Sequence, residues 1–185
     1  MLDGEKNLIE RAILGEASAF GLLYDRYQPQ IYRFIYLKVS HREEAEDLTH
    51  QVFFQSWKKI SEYNFEGFPF GSWLYRVARN EIIDYYRTRK IHYDIYKISE
   101  EGKEPKIKDP ISEIIDRAID ISRIEKAIRG LKPTEQDVII LRFIEDFSPA
   151  EVGQMIDKTP EAVRVLQHRA IKRLKQVLNQ QEQNA

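Results

Sequence analysis

The chain has no cysteine among its 185 residues. That excludes disulfides, a thiol nucleophile and any cysteine-ligated zinc or iron–sulfur site, and it suits a reducing compartment. Long apolar runs are also missing. The longest, such as Val138-Ile-Ile-Leu141, hold about four residues against the ~20 needed to span a bilayer. The N-terminus lacks a basic-then-apolar export pattern. No membrane insertion and a cytoplasmic location are therefore expected. His41, His50, His92 and His168 are scattered, and neither a phosphate-binding loop nor a metal-ligand cluster appears. The expectation is a protein with no enzymatic activity, catalytic residue, cofactor, metal or small-molecule substrate.

What is present is charge in blocks. The formal net charge is only −1, with 42% hydrophobic and 32% charged residues. Residues 41–50 are acidic (Glu43, Glu44, Glu46, Asp47), whereas 76–90 carry Arg76, Arg79, Arg87, Arg89 and Lys90. Residues 158–175 carry six cations against Glu161 alone. Two basic segments separated by acidic ones suggest two nucleic-acid contacts, with other faces left for another partner.

Apolar residues recur every three or four positions and no strand-like alternation persists, so the fold class is all-α. The pattern predicts helices near 5–14, 17–27, 29–39, 42–60, 72–90, 112–129, 134–145, 149–156 and 160–179, with Pro29 breaking or kinking the second. Residues 91–111, with Gly102, Pro105, Pro110 and a mixed-charge string, read as a flexible linker. That divides the chain into a unit over 1–90 and a helix-turn-helix unit over 112–185. Twenty extended residues reach at most ~70 Å, enough for the two units to touch separate sites on one DNA.

The C-terminal motif is the sharpest signal. Ser148 and Glu151 form a capping box. Asp157 tolerates the left-handed conformation of a helix end, and Thr159-Pro160 starts another helix. On that helix Val163, Leu166, Ala170, Leu174 and Val177 share one arc, which is expected to pack on Val138, Leu141, Val152 and Ile156. Glu161, Arg164, Val165, His168, Arg169, Lys172 and Lys175 share the other. Arg164 suits a guanine edge, Glu161 a cytosine amine and Val165 a thymine methyl. Arg169, Lys172, Arg173 and Lys175 suit phosphates. A solvated basic face is the plainer alternative.

The N-terminal half is less decisive. On 42–60, Leu48, Val52, Phe53, Trp57 and Ile60 form a core stripe, and Asp47, His50, Gln51, Phe54 and Lys58 form an exposed face that is either solvated or a partner surface. Tyr63-Asn-Phe-Glu-Gly-Phe-Pro-Phe70 has four aromatics in eight residues. Such a loop either folds onto the core or stacks on unpaired bases. Beyond it, Arg76, Asn80, Asp84 and Arg87 form a polar stripe opposite Leu74, Val77, Ala78, Ile82 and Tyr85.

Taken in order, Ala45-Glu-Asp-Leu, Trp73-Leu-Tyr-Arg-Val-Ala-Arg-Asn80 and the helix-turn-helix ending Gln167-His-Arg-Ala170 resemble the extracytoplasmic-function subgroup of the bacterial sigma-70 family. The resemblance covers nearly the whole chain. It implies promoter-specific transcription initiation, with core RNA polymerase and promoter DNA as partners and an anti-sigma factor as a further one. It implies that Glu46, Asp47, Gln51 and Phe54 face the polymerase clamp. Asn64, Phe65, Arg76, Arg79, Asn80 and Arg87 would serve the −10 element as single strand. Glu161, Arg164, Val165, His168, Arg169 and Lys172 would serve the −35 duplex. The chain departs from the family pattern at His50-Gln51, at Glu81, at Asp157-Lys158 and at Val165-Leu166-Gln167, so no promoter sequence carries over. The other reading is a stand-alone helix-turn-helix regulator whose N-terminal half senses a ligand or dimerises. It would have no need of a strand-melting surface.

Overall fold

A computed structural model describes residues 3–64, 69–95 and 124–183. The described residues are helical throughout, joined by short turns. The helices are α1 (Asp3–Ile13), α2 (Ala17–Val39), α3 (Arg42–Lys59), α4 (Phe70–Ile95), α5 (Pro133–Phe143), α6 (Pro149–Ile156) and α7 (Pro160–Gln183). A 3-10 turn over Ile60–Glu62 ends α3, and residues 124–129 are helical before α5.

Two expectations change here. Residues 17–39 form one helix, not two, with Pro29 inside it. Proline deletes only the bond to Asp25, and both residues lie on the exposed side, where water can take the freed carbonyl. Helix α4 also runs to Ile95, past position 91 where the linker was expected to begin. The remainder of that linker, residues 96–111, and most of the expected 112–129 helix lie outside the described residues.

Helices α1 to α4 enclose one part of the core. Gly15, at φ 89°, supplies the left-handed turn between α1 and α2. Ile31, Phe34 and Ile35 of α2 meet Val52 and Phe53 of α3 and Leu74, Tyr75 and Ala78 of α4, all buried. Helix α3 carries Glu43 and Glu44 in its first turn and Lys58 and Lys59 in its last, each matching the helix dipole. The second part of the core is Val138, Leu141, Val152, Ile156, Val163 and Ala170, contributed by α5, α6 and α7. The packing arc foreseen for the last helix is the one observed.

These two units are in contact. Tyr75 of α4 meets Phe147, in the turn before α6, edge-on at 5.1 Å between ring centroids. Ion pairs run from α2 and α4 to α5 and to the turns on either side of α6.

Candidate nucleic-acid interface

The turn between α6 and α7 is built as the sequence indicates. Ser148 Oγ accepts from the Glu151 amide at 3.2 Å, and the Glu151 carboxylate accepts from the Ser148 amide at 2.8 Å. Asp157 takes the left-handed conformation at φ 55°, ψ 52°. Thr159 Oγ1 then accepts from the Ala162 amide at 3.2 Å, and Pro160 opens α7. Gly153 is a requirement that the spacing did not reveal. A β-carbon there would stand 2.5 Å from the Lys158 carbonyl oxygen. The signal was in the sequence: a glycine inside a short apolar helix, where propensity disfavours it, marks a close approach.

Helix α7 presents Glu161, Arg164, Val165, His168, Arg169 and Lys172 to solvent together. Val165 is 50% exposed, an apolar residue in the middle of a charged face. Arg164 and Glu161 pair at 3.3 Å, both well exposed, so the contact is weak and easily exchanged for a base. Hydrogen bonding to the backbone at the start of α7 holds the Glu161 carboxyl below its usual range. It is therefore an ionised acceptor at neutral pH. Arg173, expected at a phosphate, instead bonds Glu135 of α5 at 3.0 Å. Arg142 Nε bonds Gln167 at 3.1 Å and its guanidinium also reaches the Phe147 carbonyl, fixing α7 against α5 and the turn before α6.

The first unit carries two further faces. On α3, Asp47, Gln51 and Phe54 are exposed and lie along one side, with Glu46 half-buried and bonded to Arg42 at 2.8 Å. Phe54 is 52% exposed under the Lys58 ammonium, 4.2 Å from the ring centroid. On α4, Arg76, Asn80, Asp84 and Arg87 are exposed opposite buried Leu74, Ala78 and Ile82, as the stripe requires. Arg87 pairs with Asp84 at 3.0 Å.

The aromatic loop divides. Its ends, Tyr63 and Phe70, are buried and form ring contacts with each other at 5.4 Å and with Trp73. They are core, so base stacking by these two is ruled out. Burial pushes the Tyr63 phenol up to about 12. Asn64 is exposed, while Phe65 lies outside the described residues.

The sequence matches Sigma-70 region 2 over residues 23–91 and Sigma-70, region 4 over residues 127–176. The ECF RNA polymerase sigma factor BldN of Streptomyces coelicolor is 32% identical over 92% of this chain. The chain belongs to the extracytoplasmic-function sigma factors of the sigma-70 family. This sigma factor spans 64% of BldN and 96% of SigW from Bacillus subtilis, to which it is 26% identical over 94% of its own length. The fold agrees with two solved structures. CnrH, in complex with the cytosolic domain of CnrY, aligns with a TM-score of 0.73 at 20% identity, covering 96% of this chain and 98% of that one. The sigma factor RpoE, with the anti-sigma factor NepR from Bartonella quintana, aligns with a TM-score of 0.70 at 21% identity, covering 86% and 96%. The function class of this sigma factor is promoter-specific transcription initiation.

Residue-level reasoning missed one group in the sigma factor. Lys38 is 4% exposed at its side chain and pairs with Asp137, which is 2% exposed and also receives Arg79 Nε at 3.0 Å. Arg33 holds Glu145 through two bonds of 2.7 and 2.8 Å, and Arg76 meets Asp157 at 3.2 Å. Arg76 and Arg79 are thus brought to the helix-turn-helix unit. The overlooked signal was phase. Lys38 continues the buried register Ile31, Phe34, Ile35 at helical spacing, and a charge in an apolar register demands a buried partner.

Proposed function

We propose that the protein binds core RNA polymerase through α3 and promoter DNA through α4 and α7. Glu46, Asp47, Gln51 and Phe54 would dock on the polymerase clamp. Asn64, Phe65, Arg76, Arg79, Asn80 and Arg87 would engage the −10 element as it opens. Glu161, Arg164, Val165, His168, Arg169 and Lys172 would enter the −35 major groove. The division of labour follows residues 1–90 and 112–185, with 91–111 as the connection. The protein acts in the cytoplasm, has no catalytic group of its own, and leaves phosphodiester synthesis to the polymerase. An anti-sigma factor is a further partner in this reading.

The observation that carries the proposal is the face of α7. A doubly capped turn delivers a helix whose acidic, basic and apolar exposed side chains match the chemistry of a groove, while its opposite arc is buried. Arg164→Ala should weaken −35 duplex binding by about 1–3 kcal/mol and relax preference at one base pair. An equal loss on all sequences, measured by titration of a promoter library, would assign Arg164 to phosphate instead. Asn80→Ala should leave core binding intact and reduce permanganate reactivity of the opened −10 region by roughly tenfold, equivalent to the loss of about 1.4 kcal/mol. Tight duplex binding by the isolated protein, indifferent to core polymerase, would favour the stand-alone regulator.

A further inference from the structure

Among the described residues, the ion pairs between the two units share a pattern. Every carboxylate in them comes from the C-terminal unit: Asp137 of α5, Glu145 beyond its end, and Asp157 of the α6–α7 turn. Every cation comes from α2 or α4: Arg33, Lys38, Arg76 and Arg79. None of the acids lies on the basic helix α7. The C-terminal unit, basic where it would meet DNA, turns an acidic side to the helix that would meet DNA next.

We propose that these contacts form an autoinhibitory latch, in which Asp137 and Asp157 stand where DNA phosphates would stand at Arg79 and Arg76. This rests on the reading of α4 as a DNA-contacting helix. The side chain of Arg79 is only 20% exposed in the closed arrangement, so it cannot reach a strand until Asp137 withdraws. Arg76 remains half-exposed but already has a carboxylate partner. DNA and the acidic side of the C-terminal unit therefore compete for the same two guanidinium groups.

The physics of the interface suits a latch more than a permanent joint. One buried carboxylate is shared by two cations, and all three would regain water on opening. The desolvation of such ions roughly offsets their attraction, so the ion pairs fix the geometry of closure more than they strengthen it. Apolar packing crosses the interface as well, since buried residues of the two units belong to one continuous hydrophobic cluster. Tyr75 meets Phe147, and beside the ion triad the two units border a groove of about 470 Å³ lined by Ile82, Ile83, Tyr86, Arg129, Leu131 and Pro133. An interface built on ion pairs and bordered by a groove is of the kind that opens and closes. While it is closed, apparent affinity for the −10 strand is reduced in proportion to the fraction open.

The test uses the full chain, which has no native cysteine to remove. Ser61→Cys and Gln176→Cys, both at exposed positions, take a donor–acceptor dye pair. Wild type should show one high-transfer population. Arg33→Glu and Glu145→Arg should each move it to low transfer, and the double variant R33E/E145R should restore it. The single variants should bind a single-stranded −10 oligonucleotide roughly tenfold tighter than wild type or the double variant. Should either reversal lose helix content by circular dichroism, Glu145→Gln, of nearly the same shape, must still lower the transfer. Unchanged transfer, or a double variant that stays open, overturns the latch. Opening without a gain in affinity for the oligonucleotide overturns its inhibitory role and leaves the promoter reading standing. If no variant binds the oligonucleotide, alone or with core polymerase, the functional reading falls, while the transfer shift still reports the closure.

Discussion

Replacing Phe70 with alanine should destabilise the N-terminal unit by about 3–5 kcal/mol, the usual range for deleting a buried aromatic. Phe70 is fully buried at the start of α4 and touches three rings: Tyr27 at 5.5 Å, Tyr63 at 5.4 Å and Trp73 at 5.4 Å. Its loss removes both the transfer energy of the ring and the edge-on contacts around it. The loop between Tyr63 and Phe70 is held at each end by this cluster, so its anchoring should fail before the helices do. Denaturant unfolding followed by Trp73 emission, with Trp57 replaced by phenylalanine in both proteins, would report the loss directly. A change below about 1 kcal/mol would mean the cluster repacks and the loop does not depend on it. Duplex binding by α7 should survive at temperatures where the variant stays folded.

Gly153→Ala should disrupt the other unit by about 1–3 kcal/mol or more, because the added carbon would overlap backbone rather than a movable side chain. The Lys158 carbonyl oxygen stands 2.5 Å from that carbon's position, and the carbonyl carbons of Lys158 and Thr159 at 3.5 Å. Relief requires the turn to back away from α6, carrying the cap of α7 with it. The angle between the two helices, and with it the pose of Arg164 in a groove, must change. Gly21 provides a control of opposite sign. It lies mid-helix in α2 with nothing within 4 Å of an added β-carbon, so Gly21→Ala should stabilise the chain by roughly 0.5–1 kcal/mol. Thermal unfolding of the two variants side by side checks both signs. Equal effects would show that helix propensity, and not the close approach, governs position 153.

Much of this was readable from the chain because local chemistry and tertiary packing agree. The Ser148–Glu151 box, the Thr159 cap and the Asp157 turn are all short-range devices, and α6 begins and ends where spacing put it. The exposed stripe of α4 and the two arcs of α7 followed from helical period alone. Pro29 misled because its penalty depends on whether water can reach the orphaned carbonyl, which no window of sequence records. The Tyr63 and Phe70 rings could be assigned to core or to bases only once a neighbour such as Trp73 was seen against them. The contacts of Asp137 with Lys38 and Arg79 join residues 99 and 58 positions apart, beyond any local pattern.

Asp157 carries a tension that selection can act upon. Its left-handed backbone would suit glycine or asparagine better, and glycine would relax the end of α6 at no steric expense. Yet glycine has no carboxylate for Arg76. A lineage that gained turn stability at this position would surrender part of its hold between the units, and with it some of its restraint before a promoter is met. A slightly uncomfortable residue can therefore persist here because comfort would make the protein less well behaved.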